Sequence, residues 1–319
     1  MLNRKQYEPL DLSGLKTRSI TERKHLVTVK GFGRVPPEPA SMAEFLDSLP
    51  QTPVTKALAA VAEAVVRAHK EDAPVVFAMG AHVIKVGLAP FVIDLLERGV
   101  LTAVVLNGAG AIHDLEIALR GETSEDVRAG LEDGTFGMVE ETPALMNDAA
   151  NLGRHRGLGR AIGDLIDEDP DEFPHAELSI LAAASRLDAT ATVHVAIGTD
   201  TVHMHPDASG GTIGAASMLD FRKVCAVVMD MHHGVWCNIG SAVVLPEVFL
   251  KAFTVAVNLG ADLAEITTAN FDQIQHYRPR MNVVERPTQH GYALTGHHEI
   301  MVPLVHQMIV QRLGEESKK

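Results

Sequence analysis

The chain has 319 residues, of which 46% are hydrophobic and 22% are charged, which predicts a folded protein with a large core and excludes a disordered chain. The net charge of −13 argues against binding to nucleic acid or to anionic membranes. The chain has only two cysteines, which exclude a disulfide framework. We expect a cytoplasmic protein, because residues 1–12 lack the apolar stretch of a signal peptide and no apolar run could span a membrane.

Two parts of different character are predicted, an N-terminal arm of residues 1–50 and a single α/β nucleotide-binding domain of residues 51–319. The arm has little hydrophobic periodicity, is basic around Arg23, and contains one predicted short helix at residues 41–49. We interpret the arm as a segment that lies on a surface or between subunits.

Beyond the arm, helices and strands are predicted to alternate. Thr52-Pro53 is a typical helix start, the apolar run at 74–80 indicates a buried strand, and Gly99 fits the end of the next helix. The predicted helices are 53–69, 83–98, 114–119, 179–187, 246–259 and 299–313. The predicted strands are 74–80, 101–106, 192–198, 225–230 and 263–267. This alternation predicts a doubly wound, mostly parallel sheet with helices on both faces.

Ligands of such sheets bind beyond the carboxyl ends of the strands. Four segments of the sequence are predicted to lie there: 107–111, 209–216, 238–242 and 267–272. Glycines in the first three allow backbone N–H groups to approach a phosphate, although tight turns use glycine for packing alone. Asp114 follows the first segment, and Asp272 ends the fourth, where it could hold a ribose hydroxyl pair or simply cap a turn.

Other side chains suggest chemistry with less specific patterns. Lys85 follows the first strand, where it could act as a base or form an imine, or remain a solvated lysine. Cys237 is a possible reactive thiol beside the third segment. Sixteen histidines are present, and a zinc or iron site could be built from a subset with one aspartate, although hydrogen bonding in an active site or between subunits is the favoured interpretation. That subset is His203, His205, Asp207 and His232.

Several blocks, taken in order, resemble the deoxyhypusine synthase family over roughly residues 40–309. They include the Asn-Gly-Ala-Gly run at 107–110, the Gly-Thr-Ile-Gly run at 211–214 and the Gly-Ser-Ala-Val-Val run at 240–244. The remaining blocks are 77–87, 260–262, 267–272 and 278–279. The resemblance implies an NAD-binding doubly wound fold and a homotetramer with sites between subunits. It also implies NAD-dependent chemistry on a polyamine, followed by transfer through a lysine imine.

Transferred position by position, the family's NAD contacts fall on His82, Asn107, Gly108, Ala109, Gly110, Gly240, Ser241, Thr268 and Asp272. To these the glycine-loop argument adds Asp114, Gly211 and Thr212. The family's catalytic lysine has no counterpart, because no lysine lies between Lys251 and Lys318. Leu245-Pro246-Glu247 also replaces the family's histidine pair.

The sequence therefore predicts an NAD-dependent redox or transfer enzyme for a small amine- or hydroxyl-bearing substrate, and not deoxyhypusine synthesis itself. His82, Lys85 and His113 are the candidate bases, and Glu247 and Asp272 are candidates for orienting a cationic substrate. Two alternatives remain: a metal-dependent hydrolase or lyase that uses the histidine subset above, and a non-catalytic NAD sensor.

Overall fold

The computed structural model describes residues 5–316 of the chain. The chain divides into two compact units, Met1–Thr52 and Pro53–Lys319. Two short 3₁₀ turns and one helix form the regular structure of the first unit. They are Ile20–Glu22, Val29–Gly31 and α1, Met42–Ser48. Ser41 and Glu44 form a reciprocal capping box at the start of α1, which explains why the predicted helix at 41–49 begins there.

The second unit alternates strands with helices. Its strands are β1 (Val75–Met79), β2 (Ala103–Asn107), β3 (Thr190–His194), β4 (Val235–Ile239), β5 (Thr267–Asp272) and β6 (His290–Thr295). Its first ten α-helices are α2 (Pro53–Lys70), α3 (His82–Lys85), α4 (Ala89–Glu97), α5 (Gly108–Arg120), α6 (Val127–Asp133), α7 (Glu141–Arg156), α8 (Leu158–Glu168), α9 (Ile180–Arg186), α10 (Gly210–Met229) and α11 (Val244–Asn258). The chain ends with the short turn α12 (Tyr277–Pro279), a π-helical segment at Arg280–Glu285, and α13 (His298–Glu316).

Within residues 5–316 the strands form one six-stranded sheet in the order β3-β2-β1-β4-β5-β6, and every pair is parallel. Every residue of β1 and β4 is buried, as expected for parallel strands that are covered on both faces. The doubly wound α/β fold predicted from the sequence is therefore confirmed. No helix among the described residues is both long and apolar enough to cross a membrane.

Helices pack on both faces of this sheet. On one face, α10 and α11 bury Val228 and Phe249 against Trp236 of β4, whose ring stacks on Phe249 with centroids 4.5 Å apart. On the other face, α13 packs against α2 and α4, and α2 contacts β1, β4, β5 and β6. The strands thus lie in the middle layer of three.

Several of the predicted elements need correction. The strand predicted at 192–198 is Thr190–His194, and the helix predicted at 114–119 begins six residues earlier, at Gly108. The helix predicted at 83–98 is two helices, because Gly87 adopts φ +74 and Pro90 lies in the first turn of α4. Residues 225–230 are not a strand, since they mainly form the last turns of α10, where Val228 is buried in the core. The strand predicted at 263–267 is displaced, because β5 starts only at Thr267.

Candidate functional site

The sheet reverses its strand order between β1 and β4, and in open α/β sheets this switch point is where ligands bind. The chain leaves these strands at Gly80 and Gly240. A Cβ atom on Gly80 would lie 2.2 Å from the carbonyl oxygen of Gly240, so only glycine fits where the two loops meet. Gly240 has φ +66, which also favours glycine.

Two histidines lie at this switch point. His82 follows β1, His298 begins α13, and their ring centroids are 5.3 Å apart. His298 is 2% exposed, and its Nε2 lies 3.1 Å from the carbonyl oxygen of Phe271. Because a carbonyl only accepts, Nε2 carries the proton and Nδ1 is an acceptor. That Nδ1 is buried without a hydrogen-bond partner, and so is Nε2 of His82.

Asn238 brings a third polar group to the same place. Its Nδ2 donates to the carbonyl oxygen of Ser241 at 2.9 Å and to Oδ1 of Asn270 at 2.7 Å. Asn270 in turn donates from its Nδ2 to Oε1 of Gln275 at 2.7 Å. The amide of Asn238 is fixed by these bonds, and its buried Oδ1 is left as an acceptor without a partner.

The loop after β3 supplies a fourth and a fifth polar group, on Asp200 and His203. Nδ1 of His203 accepts the backbone N–H groups of Gly198 at 3.2 Å and Asp200 at 3.4 Å, so the proton lies on Nε2. This buried N–H has no partner, and neither has the buried Oδ2 of Asp200. Burial raises the pKa of Asp200 above its ordinary value.

Asp200 reaches the start of α5. A Cβ atom on Gly108 would lie 1.9 Å from Oδ2 of Asp200, so the glycine makes room for this carboxylate. Asn107 accepts the N–H of Gly110 with its Oδ1 at 2.9 Å. Residues 107–110, which include Ala109, therefore lie at the carboxyl edge, but they form no loop, because α5 begins directly after β2. The N-terminus of α5 already faces a carboxylate and a capping amide.

Buried polar atoms nearly always have hydrogen-bond partners in folded proteins. Five such atoms around one edge of a sheet therefore define a polar site for a ligand. The set has one carboxylate oxygen, one amide oxygen and three imidazole nitrogens, and it contains no lysine or arginine. It suits a ligand that offers hydroxyl, amide or amine hydrogens, with at least one acceptor for the N–H of His203.

Some predicted cofactor contacts do not lie at this edge. Asp114 is fully buried and accepts hydrogen bonds from the hydroxyl of Ser179 at 2.6 Å and the N–H of Ile180 at 2.8 Å, so it caps α9. Thr268 is also buried, and its hydroxyl donates to the carbonyl oxygen of Val283 at 2.6 Å. Because Thr268 is the second residue of β5 and pairs with Trp236 inside the sheet, it lies near the amino end of the strand and away from the carboxyl edge.

Other predicted cofactor contacts do lie at the carboxyl edge. Asp272 is the last residue of β5, and its Oδ1 accepts the N–H of Gln273 at 2.8 Å. Ser241 accepts the N–H of Leu245 at 3.3 Å and so caps α11. Gly211 and Thr212 lie in the first turn of α10, capped by Ser209.

The remaining candidate bases and acids have different surroundings. Lys85 is exposed on α3. His113 donates from Nδ1 to the hydroxyl of Thr123 at 2.6 Å, and that hydroxyl donates to Glu116. Glu247 is held by the ammonium of Lys251, which lowers the pKa of its carboxyl, and it accepts from Nδ2 of Asn282 at 2.9 Å.

The histidines of the alternative metal site are not brought together. His203 and His205 follow β3 at the carboxyl edge, whereas His232 precedes β4 at the amino edge and its Nδ1 lies 3.2 Å from the carbonyl oxygen of Asp262. Among the described residues, no three histidine, cysteine or acidic side chains are arranged to hold a metal ion. Burial raises the pKa of Cys237 to about 12, which makes it a poor nucleophile.

Two cavities lie at the amino edge, away from the switch point. One has a volume of about 430 Å³ and is lined by Thr102, Arg160 and Lys223 among others. The second has a volume of about 390 Å³ and is lined in part by Glu71 and His233. Several of the charged side chains that line them have partners, such as Asp188 for Arg160 at 2.8 Å and Glu71 for His233 at 2.7 Å. We therefore place the candidate site at the carboxyl edge.

The strand order and the polar site at the switch point define a Rossmann-like α/β protein. No protein-family model matches the chain, and no curated protein matches it in sequence. Solved structures share the fold. A conserved protein from Methanococcus maripaludis S2, assigned to the LOR/SDH group, is 17% identical with a TM-score of 0.53, and the match covers 83% of this chain and 71% of that one.

AgrE, solved as a ternary complex with ornithine and NAD⁺, is 14% identical with a TM-score of 0.54. The match covers 81% of this chain but 33% of AgrE, so this chain spans about a third of that protein. A protein from Entamoeba histolytica, assigned as a deoxyhypusine synthase, is 9% identical with a TM-score of 0.48 over 86% of this chain and 94% of that one. At these identities the similarity to the first two proteins shows the fold alone.

Proposed function

We propose that this protein binds NAD at the carboxyl edge of its sheet and uses it in redox chemistry on a small amine-bearing substrate. The observation that carries the proposal is a set of five buried polar atoms without partners along the carboxyl edge of the sheet, three at the β1/β4 switch point and two in the loop after β3. The complex of AgrE with ornithine and NAD⁺ supports the pairing of this cofactor with an amine on a similar fold.

The residues at the edge fit a dinucleotide. Gly80 and Gly240 let the loops after β1 and β4 pack closely against each other and against His298, at the switch point where ligands bind in such sheets. The start of α5 does not suit a diphosphate, because the carboxylate of Asp200 lies on Gly108. We assign the phosphates instead to the start of α10, where a Cβ atom on Gly210 or Gly214 would meet nothing within 4 Å.

Bound NAD would supply an acceptor for a hydride from the substrate. Asp200, with the N–H of His203 beside it, offers an acceptor and a donor to a hydroxyl pair such as that of a ribose. The fixed Oδ1 of Asn238 offers an acceptor to a carboxamide N–H. His298 offers a lone pair on Nδ1 that can take a proton from the substrate amine, while its bond to Phe271 holds the ring in place. His82, next to it, is the second group that can hold that proton.

The proposal does not extend to deoxyhypusine synthesis. The lysine that forms the imine in that family is missing between Lys251 and Lys318, and the structural similarity to the E. histolytica protein is too low to argue from. Lys85, the other lysine considered, is exposed on α3.

The test begins with mass spectrometry of small molecules released from heat-denatured protein, followed by calorimetric titration with NAD. We expect NAD to bind, and Asp200→Asn to weaken it roughly tenfold to a hundredfold, because the variant loses a hydrogen bond to a charged group. The matched control is Asp207→Asn, whose carboxylate is exposed and which should bind as the wild type does.

A second variant distinguishes the binding of NAD from catalysis. His298→Gln keeps a donor for Phe271 but lacks the basic nitrogen, so we expect it to bind NAD and to lose turnover in a screen of amines that monitors NADH absorbance. A wild-type protein that neither releases NAD nor gains thermal stability with it would refute the proposal. A protein that binds NAD but reduces none with any amine would be the sensor considered from the sequence.

A further inference from the structure

The arm contains a basic strap, residues 16–35, whose apolar side chains are unusually exposed. Six lysines and arginines and one glutamate give the strap a net charge of +5. Leu26 is 90% exposed and Val35 is 92% exposed. The other large apolar side chains of the strap that face solvent are Ile20, Val27, Val29 and Phe32. Contiguous exposed apolar groups of this kind mark a surface that binds another surface.

A second surface has the opposite charge and the same apolar character. We call residues 122–141, which include α6, the acidic lobe; its seven acidic residues and one arginine give a net charge of −6. Leu131 is 67% exposed and Met138 is 59% exposed, with Val127 and Val139 also about half exposed. The acidic lobe therefore offers apolar contacts surrounded by carboxylates.

We propose that the basic strap of one molecule docks on the acidic lobe of a second copy of this chain. The charges of +5 and −6 nearly cancel, and each surface supplies apolar side chains that the other can cover. Every copy carries both surfaces, so two copies can exchange straps reciprocally and close the assembly with two equal interfaces. The twenty residues of the strap are also about the number that one side of a stable protein interface contains.

An anionic membrane is a poorer partner for the strap. Residues 38–319 carry 20 basic and 38 acidic residues, a net charge of −18, which would be repelled by such a surface. The net negative charge of residues 38–319 instead makes a second copy of this chain a suitable partner for the basic strap. This inference stands on charge and exposure and does not depend on the proposed function.

The acidic lobe adjoins the candidate site. A Cβ atom on Gly137 would lie 2.7 Å from Met204 and 2.8 Å from Thr201, in the 3₁₀ turn that follows Asp200. Thr123, in the acidic lobe, bonds His113 of α5. A docked strap would therefore lie next to the loop that carries Asp200 and His203, and would limit the access of water to it.

Charge reversal in the full-length protein tests the proposal. The strap variant replaces Arg18, Arg23, Lys24 and Lys30 with Glu, which changes the charge of the strap from +5 to −3. The lobe variant replaces Glu122, Glu132, Glu140 and Glu141 with Lys, which changes the charge of the acidic lobe from −6 to +2. By light scattering we expect the wild type at a multiple of the 34.3 kDa chain mass and each variant alone at 34.3 kDa. The control is Asp171→Lys with Glu172→Lys in an exposed acidic turn outside the lobe, which should keep the wild-type mass.

Mixing the two variants distinguishes docking between molecules from docking within one. In a reciprocal heterodimer, the reversed strap meets the reversed lobe, and the unchanged strap meets the unchanged lobe. We therefore expect the mixture, in equal amounts, to regain the wild-type mass. Circular dichroism confirms that each variant is folded before it is mixed.

Four results would each overturn the proposal. They are a wild type that is monomeric at micromolar concentration, variants that keep the wild-type mass, a mixture that stays at 34.3 kDa, and strap-dependent flotation with vesicles of phosphatidylcholine and phosphatidylserine. The last result would assign the strap to a membrane surface instead.

Discussion

At the scale of single residues, two buried aspartates hold helix N-termini inside the protein. Asp220 accepts the N–H groups of Gly159 and Val193, both at 2.8 Å, through one carboxylate oxygen. Asp114 accepts the N–H groups of Ile180 and Leu181 at the start of α9, one with each carboxylate oxygen. Burial raises the pKa of each carboxyl from 3.8 to about 6, although the hydrogen bonds that each accepts favour the charged form.

These pKa values predict how stability depends on pH. Between pH 4 and 6 the folded protein keeps the proton of Asp220 while the unfolded chain has lost it, so the free energy of unfolding falls as the pH rises through this range. A shift of about two pKa units corresponds to about 3 kcal/mol for one group.

Asp220→Asn removes this contribution, and its amide oxygen can still accept from Gly159 and Val193. We expect the fall in unfolding free energy between pH 4 and 7 to be smaller in the variant by about 3 kcal/mol, measured by urea denaturation. The exposed Asp207→Asn is the control and should follow the wild type. Parallel curves for wild type and Asp220→Asn would contradict the expectation.

Sequence reasoning identified the candidate site only in part. Gly240 and Asp272 were predicted at the strand ends because glycine and acidic residues after apolar runs are visible in the sequence. Asp200 was not singled out, since an isolated aspartate in a loop has no distinctive pattern. Asn238 was included only as the first residue of the predicted segment 238–242 and was given no role of its own. Their importance comes from buried atoms without partners, and burial is a tertiary property.

At the scale of the elements, the loop after β4 is fitted closely to the start of α13. A Cβ atom on Gly240 would lie 2.9 Å from Cε1 of His298. Gly99, which ends α4, has the same φ of +66 but nothing within 4 Å of a Cβ atom. A side chain at either position would strain the backbone, but only a side chain at Gly240 would also collide with a neighbouring residue.

Alanine at each of these glycines gives a matched pair of variants. We expect Gly99→Ala to lower the free energy of unfolding by about 1 kcal/mol through left-handed strain alone. Gly240→Ala should lower it by at least about 2 kcal/mol, because His298 must also move. Chemical denaturation measures the free energy of unfolding of both variants. Equal decreases in the two variants would mean that His298 can move aside without an energetic cost.

Short apolar runs limit what can be predicted for an element. Residues 225–230 were interpreted as a strand because they are apolar and continuous, yet they lie mainly in α10, where Cys225 and Val228 pack into the core. Periodicity does not distinguish a buried strand from a buried helical turn over so few residues. By contrast, the helix at 53–69 was predicted within one residue, because its proline start and long amphipathic pattern are local signals.

At the scale of the whole molecule, one sheet runs through the second unit, and its middle contains the chain's single tryptophan, Trp236. Trp236 is fully buried between β1 and β5 and stacks on Phe249 of α11. Its fluorescence therefore reports on the packing of the sheet against α11.

We expect Trp236 emission and far-ultraviolet circular dichroism to change at the same denaturant concentration in a single transition, because the strands share one core. Emission should shift to longer wavelength as the ring meets water. Two separate transitions would instead show that the two halves of the sheet unfold independently.

The sequence by itself determined the fold class, the positions of α2, α11 and α13 and the glycine-bearing ends of several strands, because these follow from local patterns of apolar and small residues. Only the tertiary structure decided which polar groups meet. His82 and His298 lie far apart in the chain but come within 5.3 Å because β1 is central in the sheet and α13 returns over its carboxyl edge. Likewise, Asp200 reaches Gly108 because β3 lies beside β2, and that neighbourhood is set by the order of the strands in the sheet.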